Sequence, residues 1–492
     1  MTLTRQYVFQ VCLWVGAVCA TAYALAFLYV AISTLNYPFN LEWMEGHTVD
    51  IVQRIREGKP IYAKPTLEYI PYIYTPYYFY VSAFVSLFTG VGFFPARLVS
   101  LLATLGSTAV LYHWIRRENG DKLTACVAAG LFLATYKISG RWFDVARIDS
   151  LNVFLMVAGM YVFYFRQNLG GALLAAFLFS AAFFTKQSTA LALAPPLLAV
   201  LLIHTRHGFI TIAVTAALCL IGCAYFEYVS DGWFSFYVYD VPAGHGSFRY
   251  MIKNFWTGDI YRPLKIALAL ALFAAVMLWR QGKRSWLWYM ALMAGLIGSS
   301  YAARIHSFGH VNVLIPAHWA LALMSGLALH HASRLTHTAA LAVPCLLAVQ
   351  FYVLYYDPSR QIPSEKSIEQ GYRFLDEVAK IPGDILFSEL QYIQTRVGKK
   401  PYSIGMSGFD IFRSNLKEKN YVKRELQKEL ADAIKNKRFS AVITGRFIRI
   451  FELKGNYRLE RAIDYPQEYV TGAVFFTRAN VFVPIEEGKG DM

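Results

Sequence analysis

The sequence predicts a polytopic α-helical membrane protein that carries a C-terminal water-soluble α/β domain. Of its 492 residues, 56% are hydrophobic and only 16% are charged, and the mean hydropathy is +0.37. Soluble domains contain about 25% charged residues, so this composition excludes an ordinary soluble protein and a disordered chain. Through Tyr356 there are 13 acidic and 24 basic residues, whereas the remaining residues hold the other 19 and 23. We therefore expect a membrane domain over residues 1–356 and a soluble domain over residues 357–492.

The membrane domain is predicted to contain about eleven transmembrane helices. Crossing ~30 Å of hydrocarbon takes about 20 apolar residues. The first apolar stretch is too long for the core of a signal peptide, so we expect it to be retained. The predicted spans are Tyr7–Ile32, Leu98–Ile115, Leu123–Ile138, Leu151–Phe165, Ala172–Thr185, Ala190–Ile203, Phe209–Tyr228, Leu264–Leu278, Trp286–Ala303, Val311–Leu329 and Ala339–Tyr355.

The orientation depends on Tyr77–Thr89, whose 13 residues would make a helix of only about 20 Å. If this stretch lies at the membrane interface, the basic loops all share one side, which the positive-inside rule makes cytoplasmic. The N-terminus is then cytoplasmic, and the C-terminal domain is extracytoplasmic. The excess of basic residues is explained by loops near anionic lipid, and no nucleic-acid partner is expected. These basic residues are Arg116, Arg117, Lys122, Arg166, Arg206, Arg280, Lys283, Arg284 and Arg334.

Local patterns outside the spans predict further elements. In the first outer loop, Thr48–Gly58 has an apolar stripe and reads as a helix lying on the membrane. In the tail, Ser364 caps a predicted helix, and alternating signals indicate a small α/β domain. Its predicted elements are strands at Ile385–Phe387 and Ala441–Thr444, a helix with Val422, Leu426, Leu430 and Ile434 on one face, and a hairpin at Val474–Val483.

The first candidate site is the pair Glu42 and Glu45, just beyond the first span and next to His47. Carboxylates three residues apart share a helix face, and a solvated loop edge is the alternative interpretation. The second is Asp144, Arg147 and Asp149, in a tight outer loop. Charges at a membrane boundary are costly unless they are paired or used, so an Arg–Asp network that pins two helices is compatible with function.

Cationic and imidazole side chains at the predicted outer ends of other spans are candidates for binding a phosphate. Taken singly, each is better explained as a side chain that extends from the membrane boundary into water. The residues with this placement are Lys186, Arg304, His306 and His310, and Asn312 lies beside them.

These motifs together resemble the GT-C superfamily of integral membrane glycosyltransferases, in particular the bacterial aminoarabinose transferase and protein O-mannosyltransferase branch. The resemblance covers roughly residues 7–355. It rests on the carboxylate segment Met44–Asp50, the aromatic–proline segment Tyr74–Phe79, and the run Arg147–Leu151 before a long apolar helix. The chain departs from these relatives in having Met44 where they have an acid, and Thr75 where they often have a lysine before the proline.

The resemblance implies an inverting transfer of a sugar from a polyprenyl phosphate to a hydroxyl of an extracytoplasmic lipid, glycan or protein. It implies Glu45 as general base with Glu42 in reserve, and Asp149 and Asp144 as groups that orient the acceptor or Arg147. The donor phosphate would be bound by Arg147, Lys186, Arg304, His306 and His310. Substrate contacts are expected from His47, Tyr74, Tyr77 and Asn312. A divalent cation held by Glu45 and Asp149 stays open.

Three other functions are alternatives to glycosyl transfer from a lipid phosphate. A transporter or flippase for polyprenyl-linked sugars would show mid-span charges and internal symmetry, whereas the charges here lie at span ends. A ligase or polymerase of the O-antigen type would use a pyrophosphate-linked oligosaccharide. A non-catalytic scaffold would use the outer acids only to pair with arginines.

Overall fold

The computed structural model describes residues 3–119, 121–203, 205–335, 338–445, 453–464 and 478–486. The chain forms two discontinuous compact units. Unit 1 consists of residues 1–33, 98–222 and 247–361, and unit 2 consists of residues 34–97, 223–246 and 362–492. Two segments that precede the tail therefore group with it, and the predicted domain boundary at residue 357 stays a prediction.

The α-helices are α1 (Leu3–Leu35), α2 (Glu45–Arg56), α3 (Tyr77–Thr89), α4 (Phe93–Asn119), α5 (Lys122–Ala134), α6 (Asp149–Phe165), α7 (Leu169–Thr185), α8 (Thr189–Ile203), α9 (Thr205–Val229), α10 (Trp233–Ser235), α11 (Val241–Ala243), α12 (Arg249–Asn254), α13 (Arg262–Gln281), α14 (Lys283–Ile305), α15 (Ile315–Arg334), α16 (Ala342–Val353), α17 (Glu365–Lys380), α18 (Gln391–Arg396), α19 (Gly405–Arg413) and α20 (Asn420–Lys435). Two π-helical segments, Phe236–Asp240 and Phe255–Tyr261, lie between α10 and α13.

Each of the eleven predicted spans overlaps a helix. Within the described ranges, five helical stretches are long and apolar enough to cross a membrane, and they are Gln6–Leu35, Phe93–Glu118, Arg206–Val229, Arg249–Gln281 and Val311–Arg334. The other apolar helices are shorter, so the number of spans stays a prediction. Helix α15 is buried along nearly its whole length and packs against α5, α13 and α14, which makes it the centre of unit 1.

Two parts of the membrane domain differ from the prediction. The span expected at Leu123–Ile138 ends as a helix at Ala134, and hydrogen-bonded turns follow it. The segment from Val229 to Arg262, between two predicted spans, is largely helical, because α12 runs through the π-helical segment Phe255–Tyr261 directly into α13. A π-helix leaves a bulge in the regular i→i−4 ladder, and such bulges are frequent at functional sites.

Unit 2 combines the first predicted outer loop with an α/β tail. Helix α2 begins at Glu45, three residues before the predicted start, and ends at Arg56 before Gly58 (φ +70°). Ser364 caps α17 by accepting a hydrogen bond from the Ser367 amide, as predicted. Helix α20 buries the predicted face formed by Val422, Leu426, Leu430 and Ile434.

The described residues of the tail form a four-stranded mixed sheet of order β1-β2-β4-β3, with β1 (Ile385–Phe387), β2 (Ala441–Thr444), β3 (Tyr457–Asp464) and β4 (Arg478–Pro484). Strands β1 and β2 are parallel and fully buried, and both other pairings are antiparallel. The sequence correctly predicted β1 and β2. It predicted a hairpin within Val474–Val483, where the structure has the single strand β4 paired with β3, and residues 474–477 lie outside the described residues.

Candidate active site

Glu45 is fully buried in unit 2 and forms an ion pair with Arg97. Its two oxygens accept hydrogen bonds from Arg97 Nε (3.0 Å) and Nη2 (2.8 Å), and both side chains are 0% exposed. The backbone amides of Leu41 and Glu42 also donate to Glu45, at 2.6 and 3.3 Å. The carboxylate therefore already has several donors, and it fixes the chain that precedes α2.

Arg97 was not singled out from the sequence, although it organises this whole corner. Besides Glu45, its guanidinium donates to the carbonyls of Thr34 (3.1 Å), Tyr37 (2.6 Å) and Phe39 (2.6 Å). A buried arginine must be paired because desolvating its charge is expensive. The available signal was one arginine within the apolar start of α4.

Glu42 precedes Glu45 by three residues in the sequence, and His47 follows it by two. Glu42 is 0% exposed, and its Oε2 accepts from the Met44 amide at 3.0 Å. His47 Nε2 is 2.8 Å from the Ile70 carbonyl oxygen, and its Nδ1 is 3.5 Å from Asp50 Oδ2. Burial raises the pKa of Asp50, and the neighbouring His47 opposes that shift.

The two predicted substrate-binding tyrosines lie in the same unit and are half-buried. The Tyr74 carbonyl accepts a hydrogen bond from the Tyr62 hydroxyl at 2.8 Å. Tyr77 is the first residue of α3, directly after Pro76. These two backbone features hold the aromatic–proline segment in place. The function of both tyrosines as substrate contacts stays a prediction.

A second cluster in unit 1 brings together Asp149, Lys186 and Asn312. Asp149 begins α6, Lys186 lies between α7 and α8, and Asn312 precedes α15. Asp149 Oδ1 accepts from Lys186 Nζ at 2.7 Å and from Asn312 Nδ2 at 3.0 Å. The predictions from the sequence gave these residues three different roles, and the structure joins them in one hydrogen-bonded group.

This cluster lines a pocket of about 350 Å³, whose walls also contain Ser188, Ser299 and Ser300. Asp149 is 4% exposed, and its Oδ2 has no hydrogen-bond partner in the part of the chain that the structure describes. The pocket thus offers one ammonium group, one amide, hydroxyls and one carboxylate oxygen. Such a set can bind phosphate oxygens through Lys186 and Asn312.

Asp144 and Arg147 are buried in unit 1, each 4% exposed, and neither lines this pocket. The Tyr136 hydroxyl donates to Asp144. The Arg147 guanidinium lies 5.1 Å from the centre of the Trp142 ring, and the Arg147 carbonyl accepts from Ser100 Oγ at 3.1 Å. These contacts anchor the loop to α4 and to the turns that follow α5.

Arg304 is held by Asp259, a π-helical residue that the sequence analysis did not identify. Arg304 Nε donates to Asp259 Oδ2 at 2.8 Å, and Arg304 Nη1 donates to the Gly309 carbonyl. His306 ends α14, and its backbone bridges to Ser247. Burial, followed by the charge of Arg304 and of Arg147, lowers the pKa of His310 to about 4, so this ring is neutral at pH 7.

A divalent cation does not fit the two carboxylates that were considered for it. Glu45 is paired with Arg97, and Asp149 is paired with Lys186, so each already faces a cationic side chain. Within the described ranges, no group of three His, Cys, Asp or Glu side chains is arranged to hold a metal ion.

Comparison with known proteins agrees with the helical architecture. Residues 74–226 match the family described as dolichyl-phosphate-mannose-protein mannosyltransferase. No curated protein matches the sequence. The fold is similar to that of ArnT from Cupriavidus metallidurans in the apo state, with TM-score 0.61 and 13% identity over 94% of this chain and 98% of that chain.

Two further solved structures are similar. ArnT from the same organism bound to undecaprenyl phosphate gives a TM-score of 0.59 and 12% identity, covering 96% of this chain and all of that chain. The oligosaccharyltransferase of Archaeoglobus fulgidus tethered with an acceptor peptide gives 0.50 and 10% identity, covering 86% of this chain and 69% of that one. Residues 74–226 thus match the mannosyltransferase family, and the chain as a whole shares the fold of ArnT.

Proposed function

We propose that this protein transfers a sugar from a polyprenyl phosphate to a hydroxyl group of an extracytoplasmic lipid, glycan or protein. The observation that carries the proposal is the pocket in unit 1 at which Lys186, Asn312 and Asp149 meet. Fold alone does not fix a reaction, so the argument rests on the chemistry of that pocket. The similar ArnT structure with undecaprenyl phosphate supports a donor of the same lipid class.

On the donor side, Lys186 and Asn312 bind the phosphate oxygens, and Asp149 orients both of them. Lys186 is only 15% exposed, so its charge acts in a poorly solvated surrounding where electrostatic interactions are stronger. Of the other predicted phosphate ligands, neither Arg304 nor Arg147 lines the pocket. We therefore assign the principal donor role to Lys186.

The reaction needs one base and no protonated acid. The bond between the anomeric carbon and the phosphate oxygen breaks, and the phosphate leaves as an anion that Lys186 stabilises. The acceptor oxygen forms the new bond to the anomeric carbon, and its proton passes to a carboxylate. General base catalysis of this type contributes about 10²–10⁴ in rate. Most glycoside hydrolases, by contrast, need two carboxylates that flank the bond.

The base is proposed to be one of the two glutamates before and in α2. Glu45, the first choice, requires that Arg97 release it, because the ion pair occupies both its oxygens. Glu42, the reserve, accepts a hydrogen bond from the Met44 amide through Oε2. If Glu45 is the base, Glu45→Gln is the inactive variant. If Glu42 is the base, the inactive variant is Glu42→Gln.

The proposal is tested by incubating the purified protein with a panel of polyprenyl-phosphate sugars and acceptor fractions, with mass spectrometry of the products. We expect transfer by the wild type, and loss of at least 100-fold in rate in Glu45→Gln or in Glu42→Gln, whichever residue is the base. Glu57→Gln, at an exposed glutamate just after α2, is the matched control.

Lys186→Ala gives an independent test of the donor pocket. Removing the ammonium group is expected to weaken binding of polyprenyl phosphate by at least 10-fold, since a charge-assisted hydrogen bond is worth about 1.5–3 kcal/mol. Lys186→Arg should retain part of the affinity. Unchanged donor affinity in Lys186→Ala would remove the phosphate role, and full transfer by both glutamate variants would remove the proposed base.

A further inference from the structure

Unit 2 contains a second cleft, distinct from the donor pocket of unit 1. Its empty volume, part of which is open to solvent, is about 370 Å³. One wall comes from the first predicted outer loop, and the other comes from the tail, around α18 and α19. The side chains that matter for its chemistry are Trp43, His47, Tyr72, Gln391, Ser403 and Ser407.

The walls of this cleft are fixed by hydrogen bonds between distant parts of the chain. Tyr72 donates its hydroxyl to the Met44 carbonyl at 2.5 Å. Gln391 Nε2 donates to the Glu68 carbonyl at 2.8 Å, and the Ser403 amide donates to the Leu67 carbonyl at 2.8 Å. The cleft is therefore formed in advance of any ligand, which lowers the entropy cost of binding.

The polar groups of the cleft point to an uncharged ligand rich in hydroxyl groups. Ser407 is 3% exposed, and its Oγ has no hydrogen-bond partner among the described residues. Leaving a buried hydroxyl unpaired costs free energy, so a ligand that bonds to it would recover that cost. Among the residues that the structure describes, no lysine or arginine lines the cleft, in contrast to the donor pocket with Lys186.

Aromatic and carboxylate groups complete the set. Trp43 and Tyr72 offer apolar ring surfaces, and the Glu389 carboxylate, which accepts from the Gly445 amide at 2.9 Å, adds an acceptor at the wall. Apolar faces combined with a few placed polar groups suit a ligand whose faces are C–H and whose edges are hydroxyl. A saccharide has both, whereas a phosphate group would meet a carboxylate and no cation.

We propose that this cleft binds a neutral saccharide unit of the acceptor. This inference rests on the proposed glycosyl transfer, and it specifies the chemical class of the acceptor in that reaction. Trp43, Met44 and His47 line the cleft, and they alternate along the chain with Glu42 and Glu45. A saccharide held there lies beside the loop that carries both candidate bases.

The test is a calorimetric titration of the full-length protein in detergent with maltotetraose, cellotetraose, mannotetraose and chitotetraose, and with inorganic phosphate as the charged probe. We expect at least one neutral tetrasaccharide to bind to the wild type. Ser407→Ala should weaken that binding about 5-fold, the effect of losing one ordinary hydrogen bond. Ser407→Leu, which fills the cleft, should abolish it.

Two controls keep this result separate from the proposed reaction. Ser359→Leu, at an exposed serine outside the cleft, and Lys186→Ala, in the donor pocket, should both keep the wild-type saccharide affinity. Thermal unfolding of each variant shows whether it is folded, and Ser407→Ala carries the test if Ser407→Leu is not. The proposal is overturned if no neutral tetrasaccharide binds, if only phosphate binds, or if both Ser407 variants bind like the wild type. Saccharide binding without any transfer would instead count against the reaction.

Discussion

Arg97 and Glu45 form an ion pair that is completely removed from water. The free energy of unfolding therefore depends strongly on both side chains. Removing one partner leaves an unpaired buried charge, at a cost of about 3–5 kcal/mol. We expect Arg97→Met to lower the melting temperature by several degrees or to prevent folding. Arg97→Met combined with Glu45→Gln should lose less stability than Arg97→Met alone, because the stranded charge is then gone.

Thermal unfolding in detergent measures both effects, with Arg56→Met as the control at an exposed arginine of α2. A melting temperature for Arg97→Met equal to that of the control would show that the pair does not stabilise the loop. If Arg97→Met folds and its transfer rate rises, Glu45 is the base that Arg97 restrains.

His310 makes the stability of the protein depend on pH. Its pKa falls to about 4 in the folded chain, below the usual 6.5, mainly because of burial. The folded state therefore binds fewer protons than the unfolded state between these values, and stability rises with pH there. The contribution is fully present above about pH 6.5 and is lost as the pH falls towards 4.

We expect the melting temperature of the wild type to fall between pH 7 and pH 4.5 by more than that of His310→Asn. The difference corresponds to about 1–3 kcal/mol at the acid end. Between pH 7 and pH 8 the two proteins should keep a constant difference, since the ring is neutral in both states. Parallel curves over the acid range would contradict the assignment.

At the scale of elements, α2 and α18 approach each other closely at Gly46. A Cβ at this position would lie 2.1 Å from Cδ1 of Tyr392, far inside van der Waals contact. Helix α2 can therefore pack against α18 only with a glycine here. This explains physically why the predicted carboxylate motif contains a glycine directly after Glu45.

Gly46→Ala is expected to destabilise the protein by about 1–3 kcal/mol through overpacking. Gly46→Ala with Tyr392→Ala should be more stable than the sum of the two single effects, because the truncated ring makes room for the methyl group. Denaturant or thermal unfolding measures the cycle. Gly92→Ala, where a Cβ would meet nothing within 4 Å, is the control, and strictly additive effects would refute the contact.

At the scale of the whole molecule, the orientation in the membrane is the property with the widest consequences. We predict a cytoplasmic N-terminus and an extracytoplasmic tail, on the basis of the basic loops. In a variant without the six native cysteines, Ser359→Cys should react with a membrane-impermeant maleimide added to intact cells, and Gln281→Cys should react only after lysis. The reverse pattern would invert the topology and place the proposed reaction on the wrong side.

The sequence predicted the helical membrane part and two strands of the tail because apolar length and periodicity determine these elements locally. It also selected Asp149, Lys186 and Asn312, since charged and amide groups at the ends of spans are unusual. It did not identify Arg97, Asp259 or Ser407. These residues act through contacts with residues that are distant in sequence, or through burial. Neither property produces a periodic pattern in the sequence. Strand β3, the partner of β4, was not predicted, because it is largely exposed and lacks an alternating apolar pattern.

The closeness of Gly46 and Tyr392 also affects how the protein is made. Tyr392 follows Gly46 by 346 residues, and ribosomes add about 5–20 residues per second. Roughly 17–70 s therefore pass between the synthesis of Gly46 and that of Tyr392, against which the loop with both glutamates packs. A nascent chain that stalls before residue 392 leaves this loop without that partner, which makes truncated products natural targets for quality-control proteases.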